Sequence, residues 1–163
     1  MKHLRIEMPL SATCEEAFDL LHDYGERLEW DTMLREAYVI GGAAVGVGTI
    51  AVCTGRRWLG SPRFETVYVP FQRGVVAAAK ATRCPWFFET WAASLRHEPL
   101  GPEPRDGSRV IYAVTFTARP RWLAFVMEPL LAIAFRIETR RRLRTFASCW
   151  AQRIFRQTGA DRR

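Results

Sequence analysis

The sequence predicts an α+β fold in which a curved antiparallel sheet of about seven strands wraps around one long C-terminal helix. Residues 37–118 consist of short strand-like segments separated by turn residues, and the only long segment with helical periodicity follows them, from Pro120 to about Arg156. A first strand and two short helices precede this region. The connections between strands are too short for the crossovers that parallel pairing requires, so the sheet is predicted to be antiparallel.

The length of the chain favours a single domain. With 163 residues, 48% of them hydrophobic, it can fill one core without a second domain. We expect this domain to span residues 1–157 and a basic tail to occupy residues 158–163. The net charge of +7 favours acidic partners such as nucleic acid, anionic lipid or an anionic ligand, although a solvated arginine-rich helix face explains the same charge.

The N-terminal part of the chain is predicted to form a strand followed by two short helices. Apolar residues alternate with charged ones over residues 4–8, which is typical of a half-buried strand. Thr13 and Glu16 have the spacing of a capping box ahead of an apolar run, so a helix is predicted over residues 13–23. A second short helix is predicted through residues 28–34.

Six further strands are predicted in the middle of the chain, each bounded by turn-forming residues such as Gly and Pro. Their predicted ranges are 37–40, 47–55, 63–71, 74–83, 86–98 and 108–118. Together with the first strand they make up the predicted sheet.

The final helix has two dissimilar halves. Its second half carries one apolar stripe, which we expect to pack against the sheet. The stripe consists of Leu143, Phe146, Ala147, Trp150 and Ile154. The first half, Trp122–Phe135, is apolar nearly all round and contains Pro129, which favours a kink or a break. If Pro129 instead begins a separate helix, residues 121–128 form their own short element.

The order of strand, two helices, six strands and long helix resembles that of the START-like or SRPBCC superfamily. The resemblance is carried by residues 6–13 leading into 17–21, by the segment 28–31 with its tryptophan, by the glycine-flanked hairpin at 47–49, by residues 107–110 and by the final helix. Thr13 stands where these proteins commonly have a proline. The resemblance implies the helix-grip fold of Bet v 1-type, polyketide cyclase/dehydrase-like and lipid-transfer proteins, with a hydrophobic small molecule or lipid as the ligand.

A cavity between the sheet and the final helix depends on the size of the side chains that face it. Val75, Ala77, Ala79 and Ala81 share one face of a predicted strand and are small for residues that cover a core. They leave room for a ligand unless aromatic side chains of the final helix fill the space. The residues alone leave both alternatives open, and the resemblance favours a cavity.

The candidate residues that line this cavity come from the inward faces of the strands, as alternation predicts them, from the segment after the first helix, which would close one end, and from the final helix. They are Trp30, Met33, Ala77, Ala79, Glu89, Trp91, Tyr112, Val114 and Phe135. Glu89 shares its parity with Trp91, so its carboxylate is expected inside the cavity, unless it lies in water at the strand end or pairs with an arginine. The hydroxyl of Tyr112 would orient a ligand carbonyl or be satisfied within the core.

The sequence contains none of the common catalytic motifs. It has no G-x-S-x-G, H-E-x-x-H or Walker A pattern, and its four cysteines form no C-x-x-C pair, so we predict no cofactor, no metal site and no assigned catalytic residue. Scattered cysteines and the absence of a signal peptide pattern favour reduced thiols in the cytoplasm. An apolar run that is interrupted by Glu128 and Pro129 is too short to span a membrane.

Three functions compete at this stage. Binding of a hydrophobic small molecule or lipid is the leading hypothesis, and an enzyme of the cyclase/dehydrase type with an acid/base group in the same cavity is the alternative. The third is contact with an anionic membrane or nucleic acid through the arginines of the last helix, where Trp122 and Phe125 favour the membrane. The apolar first half of that helix is predicted to be a moving gate, a homodimer contact or a membrane-touching segment.

Overall fold

A computed structural model describes residues 1–42, 44–103 and 106–160, with side chains up to Arg153. It shows the predicted α+β architecture, an antiparallel seven-stranded sheet curled around a long C-terminal helix. In chain order the elements are β1 (Lys2–Leu10), α1 (Cys14–His22), α2 (Arg27–Trp30), β2 (Leu34–Val39), β3 (Ile50–Gly55), β4 (Arg63–Gln72), β5 (Val76–Arg83), β6 (Phe88–Pro99), β7 (Ser108–Ala118) and α3 (Ala124–Ala160).

The strands pair in the order β1-β7-β6-β5-β4-β3-β2. Strands β2 to β7 form the predicted meander, and β1 closes the other edge by pairing with β7 from Lys2↔Phe116 to Leu10↔Ser108. Register shifts interrupt the pairing at several places, including Tyr68/Phe71 in β4 and Phe88/Thr90 in β6. Such bulges bend strands and increase their twist, which suits a sheet that curls around a helix.

The capping box predicted at the start of α1 is confirmed. The backbone N–H of Thr13 donates to Oε2 of Glu16 at 2.9 Å, and the N–H of Glu16 donates to Oγ1 of Thr13 at 3.3 Å. The second helix is shorter than predicted, because α2 ends at Trp30 and Leu34 already opens β2. The N–H of Asp31 closes α2 by donating to the carbonyl of Arg27 at 2.9 Å.

The predicted starts of several strands were wrong by a few residues. The first strand of the meander begins at Leu34 rather than at residue 37, and β3 begins at Ile50 rather than at residue 47. Residues 46–49 form a turn in which the N–H of Thr49 donates to the carbonyl of Gly46 at 3.1 Å. Gly48 has a φ of 83°, a conformation that glycine adopts without strain.

Helix α3 runs without interruption through Pro129. A break at Pro129 and a separate helix that begins there are therefore both wrong, and residues 121–123 form only a single 3-10 turn before α3. The side chain of Glu128 ties this half of α3 to the sheet. Its carboxylate accepts a hydrogen bond from the N–H of Ala118 at 3.3 Å and lies 3.2 Å from the N-terminal amine.

The apolar stripe in the second half of α3 packs as predicted over its described part. Leu143 and Phe146 are buried, and Ala147 and Trp150 pack against the cluster formed with α1 and the ends of β1 and β7. Ile154 and the predicted tail at 158–163 involve side chains that lie outside the described residues. The division into a domain and a tail stays a prediction.

Candidate functional site

A cavity of about 120 Å³ lies between the concave face of the sheet and α3. Its apolar wall comes from the sheet and the inner face of α3, and its polar wall includes the segment that contains α1 and α2. The apolar lining residues are Met33, Leu34, Phe64, Ala77, Ala79, Trp91, Ala93, Leu95 and Phe135. The polar ones are His22, Tyr24, Arg27, Cys53, Thr66, Tyr68, Ser94, Tyr112 and Arg142.

Six of the nine predicted lining residues border this cavity. They are Met33, Ala77, Ala79, Trp91, Tyr112 and Phe135. Trp30, Glu89 and Val114 do not border it. Trp30 and Val114 are 3% and 2% exposed and belong to the packed core, where Trp30 lies edge-on against Phe146 with ring centroids 5.1 Å apart.

The space beneath Ala77 and Ala79 is left open because the large side chains of α3 have other partners. Phe146 packs against Trp30, and Nε1 of Trp150 donates to the carbonyl of Ser11 at 3.0 Å. Neither Phe146 nor Trp150 lines the cavity. Phe146 and Trp150 therefore do not fill the space beneath the alanines, and Phe135, the other aromatic residue of α3 considered for this role, lines the wall of the cavity.

Glu89 points away from the cavity because a bulge changes the alternation of β6. The register shifts between Phe88 and Thr90, so Phe88 rather than Glu89 shares the inner face with Trp91. The carboxylate of Glu89 instead accepts two hydrogen bonds from Arg121 at 2.8 and 2.9 Å. Arg121 holds the pKa of this carboxyl below its usual value, and Glu89 cannot serve as an acid or base inside the cavity.

Two arginines that the sequence analysis did not select lie in the polar wall. Oδ2 of Asp31 is 3.4 Å from Nε of Arg27 and 3.5 Å from Nη1 of Arg142. Both arginine side chains are only 12% exposed, and that of Asp31 is fully buried. Burial opposes the charge of each guanidinium, but the carboxylate of Asp31 lies beside both and raises the pKa of Arg27 and of Arg142 above its ordinary value.

The position of Arg142 carried a signal that was overlooked. Arg142 is seven residues after Phe135 and four before Phe146, so it lies on the inward face of α3. Its charge alone had grouped it with the other arginines of the last helix as a contact for a membrane or nucleic acid. For Arg27 no such signal exists, because α2 is too short to show a periodicity.

A pair of tyrosines adjoins the arginines. The hydroxyls of Tyr24 and Tyr68 are 3.0 Å apart, and one of them donates to the other. Burial raises the pKa of both side chains, so both are neutral under physiological conditions. Since only one of the two hydroxyl protons is used in this contact, the other can be donated to a ligand.

His22 supplies a neutral imidazole to the same wall. Its Nδ1 lies 2.7 Å from the carbonyl oxygen of Phe18 and donates to it, which leaves Nε2 as an acceptor. Burial lowers the pKa of His22 to about 4. The pKa of His97 is lowered to about 4 by burial as well, but His97 does not line the cavity.

A second, more apolar cavity of about 160 Å³ adjoins the first. Four residues border both cavities and separate them. They are Met33, Leu34, Phe64 and Phe135. Leu59 from the β3–β4 connection and Phe87 from the β5–β6 connection line its far side, so it extends towards the end of the sheet where these loops lie.

The described residues offer neither a metal site nor a membrane span. No group of three or more His, Cys, Asp or Glu side chains among them is arranged to hold a metal ion. No helix within residues 1–42, 44–103 and 106–160 is long and apolar enough to cross a membrane.

Comparisons with known proteins agree on the architecture. The family model described as "Polyketide cyclase / dehydrase and lipid transport" matches residues 1–148. The Zhui aromatase/cyclase from Streptomyces sp. R1128 has a TM-score of 0.74 at 11% identity, with 94% of this chain and 95% of that chain covered. The protein TTHA0849 from Thermus thermophilus has a TM-score of 0.74 at 14% identity, covering 90% and 95%.

A START superfamily protein from Mycobacterium smegmatis is also similar, with a TM-score of 0.61 at 15% identity over 86% of this chain and 97% of that chain. At these identities the structural likeness shows the fold alone. No curated protein sequence matches the chain.

Proposed function

From the membership of this chain in the family of polyketide cyclase/dehydrase and lipid transport proteins, we propose that it binds a hydrophobic small molecule or lipid between the sheet and α3. One observation carries the proposal: the small side chains of Ala77 and Ala79 are not covered by Phe146 or Trp150 of α3. A cavity of about 120 Å³ remains there, and one of about 160 Å³ adjoins it.

The size of the cavities limits the ligand. An apolar cavity of about 150 Å³ accommodates a single benzene ring in another protein, so the first cavity alone suits only a one-ring ligand. A longer ligand would occupy both cavities, with Phe64 and Phe135 moving aside. Apolar walls favour such a ligand by about 25 cal/mol for each Å² of apolar surface removed from water.

A substitution that fills the cavity tests the proposal. Ala79→Leu adds three carbon atoms beneath the sheet and should weaken the binding of the neutral dye N-phenyl-1-naphthylamine by about tenfold or more. Ala78→Leu is the matched control, because Ala78 is the neighbouring residue on the opposite face of β5. No dye binding by the wild type, or equal binding by both variants, would overturn the proposal. Native mass spectrometry of protein purified from its source would identify a ligand that co-purifies.

An enzyme of the cyclase/dehydrase type is the second candidate. The neutral imidazole of His22 and the guanidinium groups of Arg27 and Arg142 line one cavity, so a proton acceptor lies in the same wall as groups that stabilise an enolate. The ligand that co-purifies with His22→Gln should then be converted by the wild type and left unchanged by the variant, as followed by mass spectrometry. A ligand recovered unchanged after incubation with the wild type would exclude this candidate.

Contact with an anionic membrane is favoured by the loops at one end of the sheet. Trp58, Trp86 and Trp122 are 60%, 78% and 75% exposed and lie in the β3–β4, β5–β6 and β7–α3 connections. All three connections are at the same end, where the N–H of Arg119 donates to the carbonyl of Phe87 at 2.9 Å. Exposed tryptophans beside arginines are typical of surfaces that bind the membrane interface.

The arginine-rich part of α3 is a weaker candidate for that contact. Arg142 is buried in the cavity wall, and Arg141 lies 3.9 Å from Glu138. Nucleic acid therefore stays a less favoured partner. A homodimer also stays a prediction, because the outer face of α3 exposes three apolar side chains, Leu130, Ile133 and Ile137. Measurement of the molecular mass in solution tests it.

We expect the protein to work in the cytoplasm. The four cysteines are free thiols, as a reducing compartment would leave them. Fractionation of the source cells tests this expectation.

A further inference from the structure

The polar wall of the first cavity contains more positive than negative charge. We propose that the cavity binds an amphiphilic anion, with a carboxylate group held between Arg27 and Arg142 and an apolar body directed towards Phe64 and Trp91. This inference rests on the proposed function and names the chemical class of its ligand.

The charge count follows from the lining residues. Arg27 and Arg142 each carry one positive charge, and both contact a single carboxylate, that of Asp31. His22, Tyr24, Cys53 and Tyr68 add none, because burial favours the neutral form of each. Glu138 borders only the second cavity, and its Oε1 lies 3.9 Å from Nη1 of Arg141. One positive charge is therefore left without a counter-charge in the first cavity.

The contacts of Asp31 are too long to satisfy both arginines. The distances of 3.4 and 3.5 Å exceed the roughly 2.7–2.9 Å of charge-assisted hydrogen bonds. The other oxygen of Asp31 accepts from the N–H of Met33 at 3.3 Å. The Nε atoms of Arg27 and Arg142 are buried and have no hydrogen-bond partner in the described part of the chain. Buried charges with unused donors are costly unless a ligand pairs with them.

Neighbouring groups hold both guanidinium groups in place before a ligand arrives. Nη1 of Arg27 donates to the carbonyl of Leu21 at 3.0 Å, and its guanidinium lies 5.3 Å from the ring centroid of Tyr24. The guanidinium of Arg142 lies 5.0 Å from the ring centroid of Tyr112. Fixed guanidinium groups lose little freedom on binding and suit the planar carboxylate. The free hydroxyl proton of the Tyr24–Tyr68 pair is one more donor for the same anion.

The opposite wall suits the apolar part of such a ligand. The ring centroids of Phe64 and Trp91 are 5.2 Å apart, and Phe64 also borders the second, apolar cavity. A carboxylate at the arginines and an apolar chain along these rings would use both walls at once.

Matched pairs of probes test the inference. Dodecanoate and dodecanol share one chain and differ in the charge of the head group, and naphthoate and naphthalenemethanol do the same for a ring. Calorimetry of the wild type should show the carboxylate of at least one pair binding about tenfold or more tightly than its alcohol. Arg142→Met should remove that preference and leave the affinity for the alcohol within about threefold. A larger preference for the carboxylate in the dodecanoate pair would indicate that the apolar part of the ligand is a chain, and a larger preference in the naphthoate pair would indicate a ring.

The remaining outcomes separate the two proposals. Alcohols that bind as tightly as the carboxylates, or a preference that survives in Arg142→Met, would overturn the anionic head group and leave a binding cavity. Failure of all four probes to bind would overturn both. Stabilisation of the wild type by chloride without any preference for the carboxylates over the alcohols would identify an inorganic anion site and also overturn the inference.

Discussion

Oδ2 of Asp31 lies 3.5 Å from Nη1 of Arg142, a contact that joins the end of α2 to the middle of α3. The same oxygen lies 3.4 Å from Nε of Arg27, so one buried carboxylate serves two guanidinium groups. This arrangement connects the charge of the cavity to the attachment of α3. Removal of the carboxylate should therefore change the stability of the protein far more than removal of one guanidinium group.

Asp31→Asn should destabilise the protein by about 3–5 kcal/mol, because it leaves two buried guanidinium groups without a counter-charge. Arg142→Met should change the free energy of unfolding by less than about 1 kcal/mol, because Asp31 and Arg27 remain as a neutral pair. Urea unfolding without ligand measures both values. Similar losses in the two variants would contradict an excess of positive charge in the cavity.

Acidification should destabilise the fold through His22 and His97. Burial lowers the pKa of each to about 4 from the ordinary 6.5. Between these values the unfolded chain binds protons that the folded protein does not, so the stabilisation is complete above pH 6.5 and is lost as the pH falls towards 4. A change from pH 7 to pH 5 should cost roughly 2 kcal/mol for each histidine.

Unfolding in urea at both pH values measures this dependence. His97→Gln serves as the test variant because His97 lies outside the cavity wall and its ring nitrogens have no partner among the described residues. Between pH 7 and pH 5 this variant should lose about 2 kcal/mol less of its unfolding free energy than the wild type, which is the contribution of one histidine. An unchanged dependence would assign the effect to carboxylates instead.

Glu89→Gln should leave ligand binding unchanged, because Glu89 lies outside the cavity in an exposed ion pair with Arg121. The affinity for N-phenyl-1-naphthylamine should stay within about twofold of the wild-type value, since exposed ion pairs contribute little. A fluorescence titration at neutral pH measures it. A large loss would mean that the bulge in β6 matters for the shape of the cavity.

Substitution of the exposed tryptophans should weaken membrane binding. Trp86→Ala together with Trp122→Ala removes two side chains that are 78% and 75% exposed, and co-sedimentation with vesicles that contain phosphatidylserine should fall by about tenfold. Arg140→Gln with Arg144→Gln is the control for the outer face of α3. A larger loss in the arginine variant, or no binding by the wild type, would contradict a membrane contact through the loops.

Much of the fold was predictable because local chemistry and global architecture agree. The capping box of Thr13 and Glu16 starts α1 as expected, and the stripe of Leu143 and Phe146 faces the core as its spacing requires. Errors are concentrated where a local rule was extended too far. The alternation of β6 failed at Glu89 because one extra residue in a bulge turns the next side chains to the other face.

The candidate cavity was predictable mainly on its apolar side. Ala77 and Ala79 stood out as small residues on one face of a strand, and Trp91 and Tyr112 followed from alternation. Most residues of the polar wall were not predicted, because they come from distant parts of the chain. Arg27 and Arg142 become neighbours only through Asp31, and the spacing that turns Arg142 inward does not indicate which acid it meets there.

By itself, the sequence determined the class of fold, the identity of the helix that closes the sheet and the small residues beneath it, because these depend on periodicity and side-chain volume along short stretches. Only the tertiary structure decided that Pro129 lies within one continuous helix, that Glu89 faces Arg121, and that two arginines share one buried acid. The physical reason is that burial and charge pairing are properties of surroundings, which residues far apart in the chain create together.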